Sequence, residues 1–232
     1  MPTIYANTSD NDANSGIRSS FSAARDFNGT AFLGNASDGS ETFAAGVFVF
    51  SGRGADQFRV NRSYFYFDVS SITSELSSCN LRLFLFGATG NSNIRIIKST
   101  AFGGDGSAAL ANTDFDNVDF SADYSGDHTV TNSSYNTIAL NSDALTAIKT
   151  NDYFIVAMVN STYDFADSTS GLSGTNSVSV TFADNSGTGK DPALDYELAT
   201  GYTHDISGLA AASISKVNTV ATANIGKINS LD

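Results

Sequence analysis

The chain has 232 residues, 41% of them hydrophobic, with 24 Asp and Glu against 12 Lys and Arg for a formal net charge of −12. So few basic residues, spread without clusters, cannot lay down a phosphate-binding footprint, which argues against nucleic acid as a partner. No apolar run is long enough to cross a bilayer, which argues against membrane insertion, and one cysteine, Cys79, permits no intramolecular disulfide, so stability must come from a packed core.

Residues 1–39 read as an N-terminal arm or as the first strands of a β-domain. They lack the basic start and apolar stretch of a signal peptide, so synthesis in the cytoplasm without export is expected. Within them Asp10, Asp12 and Asn14 put side-chain oxygens at alternate positions ahead of Gly16. Calcium is the ion such a spacing would suit, although the glycine stands one place late for an EF-hand loop and no Glu occupies the twelfth position.

Residues 40–200 read as one all-β domain. The segments 43–50, 58–69, 81–86, 94–97, 137–140, 153–159, 178–182 and 193–198 are short, rich in aromatic and β-branched residues, and bounded by Gly, Asn, Asp and Ser. In the second of these, alternation puts Phe65, Phe67 and Val69 on one face and Tyr64, Tyr66 and Asp68 on the other, the pattern of a sheet with one buried face. Tyr64 and Tyr66 then become candidates for stacking on a sugar. The same period of two predicts that Phe65, Phe67, Leu83, Leu85, Ile155 and Ala157 share one core. One short helix is predicted over 141–149, with Ser142 as its cap.

Catalytic chemistry finds little support. His128 and His204 stand in Asp-rich loops with no metal-type spacing, and Asp114, Asp116, Asp119 and Asp123 read as an acidic loop rather than a glycosidase pair. No enzymatic activity is expected.

Residues 201–232 form a tail that says the same thing twice. Ile214, Lys216, Val217, Asn218 and Val220 recur eleven positions later as Ile225, Lys227, Ile228, Asn229 and Leu231. The apolar positions 214, 217, 221, 225, 228 and 231 fall three or four apart, one stripe on a helix, and an eleven-residue period favours a right-handed supercoil with partner helices. Asn, Ser, Thr and β-branched residues make poor helix formers, so the tail is expected to need a partner surface. Ile214, Lys216, Val217, Val220, Ile225, Lys227, Ile228 and Leu231 are accordingly its assembly residues.

The segment Asn61-Arg62-Ser63-Tyr64-Phe65-Tyr66-Phe67-Asp68-Val69-Ser70-Ser71-Ile72 resembles the Arg-Ser-x-x-x-Phe-Asp-x-Ser-x-Ile strand of DNRLRE-type jelly-roll sandwiches, relatives of carbohydrate-binding modules. The later Asp191-Pro192-Ala193-Leu194-Asp195-Tyr196 is similar to the closing strand of that family, and the tail resembles segments at the ends of tailed-phage virion proteins. These resemblances imply an antiparallel two-sheet jelly roll on a bacteriophage particle. Capsid decoration is the leading expectation, with docking to other virion proteins through the terminal segments and homo-oligomerisation, often three-fold in such assemblies. A phage tail fibre or carbohydrate-binding adhesin that recognises a host surface glycan is the first alternative. A non-viral surface fibre or matrix subunit is the second.

Overall fold

The computed structural model describes residues 1–34, 40–183 and 189–199, together with the backbone of two short strands farther along. The strands are β1 (Thr3–Tyr5), β2 (Asn11–Asn14), β3 (Phe32–Leu33), β4 (Ser40–Phe50), β5 (Gln57–Asp68), β6 (Leu76–Thr89), β7 (Ile94–Ser99), β8 (Val118–Asp123), β9 (Ser134–Ala139), β10 (Tyr153–Asn160), β11 (Thr175–Thr181) and β12 (Ala193–Leu198). All twelve join one antiparallel sheet in the order β1-β12-β6-β11-β4-β5-β10-β7-β8, with β2 beside β5, β3 beside β2 and β9 beside β6. The fold is thus mostly β, as the residue types predict. The N-terminal residues belong to this sheet: β1 pairs with β12 and β2 with β5.

The two α-helices of the described residues are short. In α1 (Phe21–Arg25), the Ser20 side chain accepts from the Ala23 amide and the apolar residues Phe21 and Ala24 are buried. The predicted second helix is α2 (Ser142–Thr150), but its cap is Asn141, whose side chain accepts from the amides of Asp143 and Ala144. The longer Asn side chain satisfies two of the free N–H groups that a helix start leaves.

Two apolar clusters lie on opposite faces of β5. The first takes Phe65 and Phe67 from β5, Ile94 and Ile96 from β7, Phe154, Val156 and Met158 from β10, and Leu81, Leu83 and Leu85 from β6. The second takes Val60, Tyr64 and Tyr66 from β5, Ile155, Ala157 and Val159 from β10, and is closed by Phe21 from α1 and by Phe102, Phe115 and Tyr163 from short turns. The expected single buried face is therefore replaced by two. Ile155 and Ala157 also belong to the second core, not to the core of Phe67, because Tyr153-Phe-Ile-Val-Ala-Met-Val159 has no alternation to fix which parity faces which layer. Where β4 meets β11 the backbones approach closely: a Cβ on Gly46 would stand 2.4 Å from that of Ser177, so only glycine fits.

Farther along, β13 (Lys216–Val217) pairs antiparallel with β14 (Val220–Ala221). At these four positions the backbone is extended, in place of the helical stripe, as suits β-branched residues that fill a helix poorly.

Candidate functional site

The most elaborate polar constellation of the described residues is buried in the second core. Arg62 stands on β5 between Val60 and Tyr64, and its position in an apolar strand face forces its charge inward. Asp164 reaches it from a single wide helical turn at Ser161–Phe165, which Asn160 caps by accepting from the Tyr163 amide. Arg62 donates from Nε to Asp164 Oδ2 at 2.9 Å and from Nη2 to Oδ1 at 2.8 Å, a bidentate fork. Two further donors go to the carbonyls of Phe115 at 2.9 Å and Arg25 at 2.7 Å. The guanidinium carbon lies 4.4 Å from the Phe115 ring centre and 5.0 Å from that of Phe120.

This arrangement ties the end of α1, the turn at Phe115 and the turn at Asp164 to one strand. Arg25 follows the same logic, donating from Nε to the Asp164 carbonyl at 2.7 Å and from Nη1 to Asp26 at 2.8 Å. Burial works against the charge on Arg62, and the Asp164 carboxylate more than restores it, so the guanidinium binds its proton more tightly than usual. Burial likewise raises the Tyr64 phenol, partly opposed by Arg62, while its hydroxyl donates to the Phe115 carbonyl at 2.7 Å. Beside them Asp116 is raised by burial, with Arg62 again opposing. Arg62, Asp164 and Tyr64, buried and hydrogen-bonded to one another and to backbone carbonyls, position the chain.

Tyr64 and Tyr66 are therefore not sugar-facing. Tyr64 is 0% and Tyr66 7% exposed, because the segments around Phe102 and Phe115 cover the face that alternation assigned to solvent. Tyr66 instead packs on Phe102 with ring centres 5.0 Å apart. Asp10, Asp12 and Asn14 share one face of the β2 region and work internally. Both carboxylate oxygens of buried Asp10 accept from the Ala183 amide, at 3.0 and 3.1 Å. Asp12 accepts weakly from Asn61 at 3.4 Å, and Asn14 accepts from the Gly16 amide and donates to the Phe32 carbonyl. Among the described residues no group of three or more His, Cys, Asp or Glu side chains is gathered to hold a metal. Of the assembly residues, Lys216, Val217 and Val220 are described in backbone only, and Ile214, Ile225, Lys227, Ile228 and Leu231 lie outside the described residues.

Among the described residues one open cleft has the size and polarity of a small-ligand site. It measures about 430 Å³ and lies between α2, the end of β7 and the start of β10. Lys98, Thr100, Asp143, Thr146, Asn151 and Tyr153 line it. Tyr153 is 38% exposed and held edge-on by Tyr66, with ring centres 6.2 Å apart. The hydroxyls of Thr146 and Thr150 donate to the carbonyls of Ser142 and Thr146, and the Thr150 hydroxyl in turn accepts from Asn151 Nδ2 at 3.3 Å.

Sequence reasoning singled out neither Asp164 nor this cleft. The pair Arg62–Asp164 spans 102 residues, which no local spacing announces. One signal was present: an arginine inside an apolar strand face requires a buried partner. No protein-family model matches the chain, and a search of curated proteins finds no match either.

Proposed function

We propose that the chain is a non-enzymatic structural protein of a tailed-phage particle, carried on the particle surface as a capsid decoration and docked through its terminal segments. The observation that carries the reading is the tail. Its Ile, Lys, aliphatic and Asn positions repeat at a spacing of eleven in the segment that follows the last strand of the sheet. An apolar pattern repeated at a fixed spacing in so polar a segment favours burial against another molecule. Residues from strands far apart in the sheet order, β6 and β10 for example, enter the same core. That supports a jelly-roll sandwich, in which two layers of a bent sheet face each other.

The test is incorporation. Antibody raised against the chain should label purified phage particles, and the full-length variant Val217→Asp/Ile228→Asp should fold normally yet be missing from them. Absence of the wild-type chain from particles, or normal incorporation of the variant, refutes the reading.

The α2 cleft favours a second reading, a carbohydrate-binding adhesin. An exposed aromatic ring beside a carboxylate, an amide and hydroxyl acceptors is the chemistry that holds a polyhydroxylated ligand. Titration with neutral hexoses should then shift nuclear resonances of Tyr153 in wild type and lose that effect in Tyr153→Ala. No shift at tens of millimolar sugar would remove it.

A further inference from the structure

The seven arginines of the chain divide into two sets. Arg25, Arg62, Arg82 and Arg95 each pair with an aspartate, at 2.8, 2.8, 2.6 and 3.0 Å. Arg18, Arg53 and Arg59 make no ion pair among the described residues, although acids outnumber bases 24 to 12. These three are brought to one rim of the sheet. Arg59 opposes Phe48 in the β4–β5 ladder, Arg53 stands in the loop of that hairpin, and Arg18 exchanges two backbone hydrogen bonds of 2.8 Å with Phe58.

The same rim gathers exposed apolar side chains. Ile17, Phe32 and Phe50 are 50%, 61% and 39% exposed, three of the seven large hydrophobics open to solvent among the described residues. Arg18 lies 3.7 Å from the Phe27 ring centre, and Arg59 lies 4.5 Å from Phe48 and 5.7 Å from Phe50. The Nε groups of Arg18 and Arg59 are buried and donate no hydrogen bond among the described residues. Burial works against the charge on Arg59, and Asp12 offsets it only in part. Water has thus already left part of each guanidinium, so an arriving carboxylate meets them with little further desolvation. Arginine and aromatic residues crowded together are the composition of interface hot spots.

We propose that this arginine–aromatic rim is an interface that receives the acidic β8 edge of a second copy of the chain. Strand β8 ends the sheet order, so its outer side has no strand partner among the described residues. It carries Asp119 and Asp123, and Asp119 makes no ion pair among the described residues while Asp123 is engaged by Arg95. A molecule with a net charge of −12 repels its own copies in most orientations. The orientation that sets the rim against β8 replaces that repulsion with attraction. It joins unlike surfaces, a head-to-tail contact that closes into a ring or continues as a row. The contact is independent of the tail, and its success or failure is separable from the particle reading.

Sedimentation velocity on the full chain tests it. Wild type should self-associate in about 0.05 M salt and lose association in about 0.5 M salt, because the attraction is between exposed charges. Phe50→Ala/Arg53→Glu and, separately, Asp119→Arg should each weaken association about tenfold or more with unchanged circular dichroism. An equimolar mixture of the two should associate again as pairs, since the intact rim of the Asp119→Arg chain then receives the intact β8 edge of the other. Val217→Asp/Ile228→Asp should associate as wild type does. A monomeric wild type at both salt concentrations, undiminished association in either rim or β8 variant, a mixture that stays monomeric, or loss of association in the tail variant would each overturn the proposal.

Discussion

Replacing Asp164 with Ala leaves the Arg62 guanidinium in place with two of its four hydrogen bonds and no countercharge. Both side chains are 0% exposed, so water cannot substitute for the lost carboxylate. Breaking a buried pair in this way costs about 3–5 kcal/mol. For a domain of this size that corresponds to a melting temperature lowered by roughly 6–20 °C. Arg62→Met should cost as much, since it also orphans the carbonyls of Phe115 and Arg25. The double variant Arg62→Met/Asp164→Leu removes both charges together and should be less destabilised than the sum of the singles by about 2 kcal/mol or more, with a remainder set by the two orphaned carbonyls. Urea unfolding of the four proteins measures all three terms. Strictly additive changes, or an Asp164→Ala within about 1 kcal/mol of wild type, would show that the pair is not the buried clamp that its geometry implies.

Three further outcomes follow from named residues. Phe67, fully buried in the first core, should cost about 3–5 kcal/mol when cut to Ala, and an unchanged urea midpoint would contradict its placement. Burial pushes the Cys79 thiol up to about 12, so it should react with a disulfide reagent at pH 8 only as fast as the chain unfolds; rapid labelling of native protein would contradict that burial. Asp68, Asp105, Asp119 and Asp127 lie below the usual carboxylate range, chiefly because Ser70, Ser107, Ser121 and Ser161 hydrogen-bond to them, whereas Asp116 is raised by burial and acts in the opposite sense. Groups lowered on folding stabilise the native state above their unfolded value near pH 4, and that contribution is lost as pH falls through the folded values. The urea midpoint should therefore drop between about pH 5 and about pH 2.5, and a flat or rising midpoint would reverse the sign.

The long strands are legible in the sequence because aromatic and β-branched residues concentrate in them and turn formers bound them. Strands β2 and β8 are not, since Asn-Asp-Ala-Asn and Val-Asp-Phe-Ser-Ala-Asp carry neither an apolar run nor clean alternation and are held by neighbours. Alternation along β5 sorts its side chains into the correct two sets but misjudges what covers the second. Tyrosine suits a wet face as well as a dry one, and the cover comes from α1 and from turns around Phe102, Phe115 and Tyr163 that have no period to read. The Asp10–Asn14 spacing is compatible with a cation loop and with an edge strand alike. What separates them is the distant Ala183 amide, which only the fold brings to Asp10.

Arg62 bears on how the chain finds its alignment. Along β5 both parities are aromatic, Tyr64 and Tyr66 on one side and Phe65 and Phe67 on the other, so hydrophobicity alone barely distinguishes the native pairing from one displaced by a single residue. Such a displacement would turn the guanidinium into the first core, away from Asp164 and both carbonyl acceptors, and strand a charge among Phe, Leu and Ile side chains. One arginine thus serves as the key that admits a single threading of the central strand, and it can do so only because the remainder of that strand is nearly indifferent to the choice.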